Sequence, residues 1–390
     1  MYIRIKFRTF ITNLLLVIIS MMSVLLSAEL GVRAYLAFFP ALNFQSQFEF
    51  RKSRPLPYKD SSYDVVSFTK EAHSQPGWIT PPNSRLVIPL DFHGRYITIE
   101  HGIRKTTDQP AQATNVIYIF GGSTVFCSEV PDQYTVPSFI QRLVNKRFPA
   151  SYKVENYGAS TVVSAQELER LKTVKLKRGD VVVFFDGAND AYISIYNKDP
   201  KGWILGENNK ILFEKGLFAE FQIKLHHNFG RFSKFIQFFL SPYDYRFEPT
   251  HLKDRVQVTT LANEMSTRYA HNILSAHDYS VSTGSSFFHF LQPTIFSGQN
   301  TSLYQYHLQH NPYFVAAGIE KALTEGYKGL RPVITELNNK RVSSLDISKI
   351  FDKRLPEDEY FLDWVHVSEK GNAIIANVIF TSIEHSLRQN

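Results

Sequence analysis

NVIYIFGGSTVF occupies residues 115–126: an apolar run that stops at two glycines and then presents the hydroxyls of Ser123 and Thr124. Val, Ile, Tyr and Phe in succession, without polar alternation, read as a strand buried on both faces, the pattern of parallel sheets covered by helices. The glycines that follow have three readings. They make a tight strand-to-helix turn in which Ser123 or Thr124 caps the helix. They form a loop that cradles an anion with backbone N–H groups. Or they hold Ser123 as a nucleophile at the rim of a sheet. This stretch alone leaves all three open.

Its surroundings repeat the pattern. SYKVENYG (151–158) reads as a short strand ending in a turn, and GDVVVFFDG (179–187) as a second fully buried strand. Between these three strands lie, in turn, DQYTVPSFIQRLVNKRF (132–148) and SAQELERLKTV (164–174), with apolar residues at helical spacing. SSFFHFLQPTIF (285–296) supplies another buried strand at 287–291, and VSEKGNAIIANVIFTSIEHSL (367–387) a helix opening at Ser368, a suitable N-cap. Strands alternating with helices predict an open, doubly wound α/β sheet. In such sheets function collects at the carboxyl ends of the strands. GGST, NYGAS and DGAND all fall there.

The chain has 390 residues, 44% hydrophobic and 20% charged, enough for one large domain with additions and inconsistent with a disordered protein. Its net charge of +7 is mild. The densest basic cluster, LKTVKLKRGD (171–180), reads as the solvated end of a helix, and with no binding module beside it nucleic acid is not expected as a partner. The single cysteine, Cys127, excludes an intrachain disulfide and reads as a small buried residue on the first turn after Ser123.

At the N-terminus, Arg4, Lys6 and Arg8 precede an uncharged run from Phe10 to Ala28. As a helix its 19 residues are about 28 Å long, enough to cross a bilayer core. Charge before the run and cancelling Glu29 and Arg33 after it predict the N-terminus in the cytoplasm and the remainder outside. A cleaved signal peptide is the alternative, but a cut after Ala28 puts Leu26 where a small residue belongs, leaving Ala34 as the other cut. The expected organisation is a cytoplasmic tail (1–9), a transmembrane anchor (10–30), a juxtamembrane spacer with β elements (31–110) and a catalytic domain (111–390). An insertion at 197–285 interrupts that domain.

Four short blocks now stand in order: FGGST with Ser123, NYGAS with Gly158, DGAND with Asn189, and DWVH with Asp363 and His366 before the last helix. Each alone is weak. Together they resemble the SGNH, or GDSL, hydrolase superfamily, over about 115–386 apart from the insertion. The anchored N-terminus and GIRKTT (102–107) are similar to a bacterial envelope branch of it. Gly122 departs from the pattern, standing where that family has Asp. The resemblance implies a flavodoxin-like α/β/α sandwich with a central parallel sheet, and an esterase with an acyl-serine intermediate. His366 would be the base for Ser123 and Asp363 the partner of its second ring nitrogen. The oxyanion would be held by the N–H groups of Ser123 and Gly158 and the amide of Asn189.

No cofactor or metal is expected. His226 with His227, and His307 with His310, lack the carboxylates of a ligand set. The expected substrate is an acyl ester, acetyl or another, on an envelope glycan or lipid. Transfer instead of hydrolysis would need a separate donor or an envelope-assembly partner. The alternative from another class is an envelope scaffold or glycan-binding protein that keeps the fold without turnover. The insertion reads as a lid, its Phe232, Ile236 and Phe239 on one helical face and Lys224, Arg231 and Lys234 among them.

Overall fold

The computed structural model describes residues 2–38, 62–81, 84–198, 250–298, 318–353 and 360–389. The chain divides into two units, Met1–Gln45 with Asn209–Arg246, and Ser46–Asn208 with Phe247–Asn390. In the first, the described residues form one helix, α1 (Tyr2–Phe38). Its 24-residue stretch Thr12–Tyr35 is apolar and, at about 36 Å, long enough to cross a membrane.

The second unit begins with α2 (Val65–His73), whose N-cap Asp64 accepts from the N–H groups of Val66 and Ser67. A two-stranded sheet follows, β1 (Trp78–Ile79) with β2 (Ile88–Pro89), then β3 (Phe92–His93), β4 (Thr98–Glu100) and β5 (Ile103–Arg104). Next come β6 (Asn115–Gly121), α3 (Ser123–Phe126), α4 (Val136–Arg147) and β7 (Tyr152–Gly158). The chain continues through α5 (Ser164–Leu171), β8 (Val181–Asp186), α6 (Ala188–Ala191) and a π-helical turn at Tyr192–Tyr196. The last elements are α7 (Arg255–Ser282), β9 (Ser286–Leu291), α8 (Ile319–Asn339), β10 (Ser343–Asp346) and α9 (Glu369–Gln389).

Eight strands form one sheet in the order β10-β9-β8-β6-β7-β5-β4-β3. The five from β10 to β7 are parallel. Taken in chain order they run 2-1-3-4-5, the flavodoxin-like order whose switch point lies between the first and third strands. Here that is between β6 and β8. Every residue of both strands is buried, and alternate side chains feed opposite layers. Ile117, Ile119, Val181, Val183 and Phe185 meet α4 and α9, while Tyr118, Phe120, Val182 and Phe184 meet α5, α7 and α8. An unbroken apolar run is what a strand between two helix layers requires.

Two expectations are corrected. The stretch 31–110 is not a spacer throughout: β5 pairs antiparallel with β7 through Arg104 and Asn156, so β3–β5 extend the central sheet. Nor is 197–285 all insertion. Its last third is α7, a 28-residue helix that buries Val258, Leu261, Met265, Tyr269, Ile273 and Ala276 against the sheet, as the β8-to-β9 crossover of a parallel sheet must. The residues read as a lid, Lys224, Arg231, Phe232, Lys234, Ile236 and Phe239, lie outside the described residues.

Candidate active site

Register brings the blocks together. Gly121 at the end of β6 stands opposite Gly158 on one side and Phe185 on the other, and the carboxyl ends of β6, β7 and β8 are level. A Cβ on Gly122 would sit 2.5 Å from Asn189 Nδ2, so a side chain there would displace the Asn189 amide. The glycine that departs from the family pattern thus stands where the third block approaches the first.

Ser123 is the first residue of α3, and its Oγ lies 2.7 Å from His366 Nε2. His366 Nδ1 is 2.5 Å from Asp363 Oδ2, while Asp363 Oδ1 accepts from the N–H groups of Val365 and His366 at 2.9 and 2.7 Å. This network assigns the ring proton to Nδ1 and leaves Nε2 to accept from the serine hydroxyl. Burial pushes the Asp363 carboxyl up, but the His366 charge and the three hydrogen bonds outweigh it and hold it below its ordinary value. The turn is fastened at both ends: Leu362 N–H donates to His366 O at 2.7 Å, Ser368 N–H to Tyr360 O at 2.8 Å, and Ile295 N–H to Trp364 O at 3.0 Å. Ser368 caps α9 through the Gly371 N–H at 3.4 Å.

The turn that carries Ser123 is braced from below by a residue that spacing did not reveal. Arg104 is fully buried and donates to the carbonyls of Phe126, Cys127 and Val130 and to Asp132 Oδ1. It therefore satisfies carbonyls left open where α3 ends and pairs its own charge. Cys127 is the left-handed C-cap of α3 (φ 57), with Sγ donating to Thr124 O; burial pushes its thiol up to about 12, so it stays a neutral packing residue. Two residues on, buried Glu129 places Oε1 3.9 Å from His366 Nδ1.

The side of the site that carries Gly158 and Asn189 is built differently. Gly158 N–H, expected to face the oxyanion, instead donates to Asn156 Oδ1 at 2.9 Å. The glycine is needed for packing: a Cβ there would lie 2.2 Å from Phe126 N. Asn156 Nδ2 in turn donates to Val125 O, tying β7 to α3. Asn189 Nδ2 donates to Val162 O at 2.8 Å, which leaves its second amide hydrogen. The Ser123 N–H, at the start of α3, carries no hydrogen bond.

Behind Asn189, on the α5/α7 face, lies a buried polar group that the sequence did not announce. Asp190 accepts from the Ser164 hydroxyl and N–H at 2.6 and 3.1 Å, and Tyr269 hydroxyl donates to Asp186. Burial, with Asp186 beside it, pushes Asp190 up to about 7 and Glu167 well above the carboxylate range. Among the described residues no three His, Cys, Asp or Glu side chains are grouped to hold a metal. His226, His227, His307 and His310 lie outside those residues.

No family model and no curated protein sequence matches the chain. Solved structures do. A lipolytic protein of the G-D-S-L family from Veillonella parvula is 12% identical over 70% of this chain and 97% of its own, with a TM-score of 0.36. TesA is 9% identical over 70% and 99%, with a TM-score of 0.39. Axe2, an acetylxylan esterase from Geobacillus stearothermophilus, is 12% identical over 70% and 95%, with a TM-score of 0.38. In strand order and in the order of its four blocks, the chain is similar to the SGNH hydrolases.

Proposed function

We propose that the protein is a serine esterase that forms an acyl-serine intermediate at Ser123. The observation that carries this is the continuous Ser123–His366–Asp363 hydrogen-bonded line, 2.7 and 2.5 Å long, at the switch point of the sheet. His366 Nε2 takes the Ser123 proton as Oγ attacks the ester carbonyl, then returns it to the leaving alcohol. Water, activated by the same nitrogen, cleaves the acyl-serine and restores the hydroxyl. Charge on the carbonyl oxygen is met by the Ser123 N–H and the second amide hydrogen of Asn189.

The substrate in this reading is an acetyl or other acyl ester on an envelope glycan or lipid. Helix α1 anchors the enzyme in a membrane with the catalytic domain outside; the apolar stretch Thr12–Tyr35 and the basic residues before it support this. The test is turnover of short- and long-chain p-nitrophenyl esters by the full chain in detergent, beside Ser123→Ala. Hydrolysis lost in that variant supports the proposal; equal hydrolysis by both proteins refutes it.

A further inference from the structure

The triad reading gives His366 one carboxylate, yet two carboxylates approach the same ring nitrogen. Asp363 Oδ2 lies 2.5 Å from Nδ1 and takes its proton. Glu129 Oε1 lies 3.9 Å from that nitrogen, an ion-pair distance and not a hydrogen bond. The Glu129 side chain is 6% exposed and that of His366 15%, so little water separates or screens them. The two carboxylates also arrive from different parts of the chain, Asp363 on the turn of His366 itself and Glu129 on the segment that follows the nucleophile. Movement of that segment would carry Ser123 and Glu129 together.

We propose that Glu129 is a positioning residue of the catalytic base, a second carboxylate that holds the His366 imidazolium formed when Ser123 loses its proton. Asp363 orients the ring by hydrogen bonding; Glu129 adds charge from the nucleophile side. The inference rests on the esterase reading of Ser123 and His366. It deepens that reading, because the base answers to both segments.

Other charged and titratable groups near His366 do not duplicate this role. Cys127 stays a neutral thiol, its value pushed up to about 12 by burial. The Arg104 charge is paired with Asp132. On α9, Asn372 reaches Cys127 and is neutral, and Glu369 and exposed Lys370 begin the helix. Asp186, Asp190 and Glu167 belong to the opposite face of the sheet, with Tyr269 and Ser164.

The test uses a fluorophosphonate, which needs no knowledge of the natural ester. Ser123 Oγ forms a bond to phosphorus, the P–F bond breaks, fluoride leaves, and His366 takes the serine proton and passes it to water. The second-order labelling rate of the full chain in detergent is followed against pH for wild type, Glu129→Gln, Glu129→Asp, Asp363→Asn and the Asp363→Asn/Glu129→Gln double variant. A negative neighbour favours the charged imidazole, so Glu129→Gln is expected to move the acid limb down by about one unit. Glu129→Asp, which keeps the charge, restores most of that shift. Asp363→Asn alone loses about 10⁴-fold, and the double variant falls at least about tenfold below the product of the single effects. An unmoved limb in Glu129→Gln with multiplicative losses overturns the proposal. So do equal shifts in the Gln and Asp variants, which would assign the effect to packing. Wild type that fails to label would instead overturn the triad itself.

Discussion

The two halves of the site contrast in how their donors and acceptors are spent. On the base side, Ser123, His366 and Asp363 hydrogen-bond to one another, and the turn that carries them is closed by its own backbone. On the oxyanion side, two expected donors are spent on protein acceptors, Gly158 N–H on Asn156 Oδ1 and one Asn189 amide hydrogen on Val162 O. The base is therefore assembled in full before substrate arrives. In the proposed esterase the oxyanion falls to donors that packing has not already spent. A glycine at a strand end is not by itself a donor to a ligand; it can equally be the place where two backbones touch.

The largest effects should come from the base side. Ser123→Ala or His366→Ala is expected to reduce ester turnover on the order of 10⁶-fold, read as kcat with p-nitrophenyl acetate, because the two act as a unit. Removing one oxyanion donor costs less. Asn189→Ala should lose about 100- to 1000-fold in kcat. Gly122→Ala drives a methyl into the Asn189 amide, so its loss should overlap that of Asn189→Ala, and the double variant should be little worse than Asn189→Ala alone. Losses that multiply would show that Gly122 serves something else.

Gly158→Ala tests the packing side of the contrast. Its Cβ meets the α3 backbone at Phe126, so about 1–3 kcal/mol of stability should be lost in urea unfolding, as for an overpacked core. Unchanged stability with a large fall in kcat would return Gly158 N–H to the oxyanion hole. The smallest effect concerns pH. Asp190 is raised from 3.8 to about 7, so the stability linked to its protonated form is present below about 4 and lost as pH rises through about 7. The melting temperature should fall over that window, and Asp190→Asn should flatten the slope.

What the sequence made readable was local. Strands β6 and β8 announce themselves because a strand buried on both faces has no polar residues to disguise it, and the DWVH turn holds acid and base within four residues. Long-range partners were not readable. Arg104 lies 22 residues from Phe126, whose carbonyl it binds, and nothing in GIRKTT marks that contact. Glu129 is one charge in a turn until the fold brings it to His366. Helix α7 escaped because its buried face includes Asn272, Ser280 and the Tyr269 hydroxyl, which partner Ser164, Ala276 and Asp186 instead of forming an apolar stripe. Hydrogen-bonded polar residues on a core helix erase the periodicity by which such helices are recognised. For Gly158 the sequence set the place but could not set the direction of its N–H.

The central claim is that Ser123 is a nucleophile activated by His366. The most direct measurement is labelling of the full chain with a fluorophosphonate, followed by peptide mapping by mass spectrometry. The account predicts one phosphonyl group, on the peptide bearing Ser123, absent from Ser123→Ala and strongly diminished in His366→Ala. Label found on another residue, or on Ser123 at the same rate without His366, would contradict it.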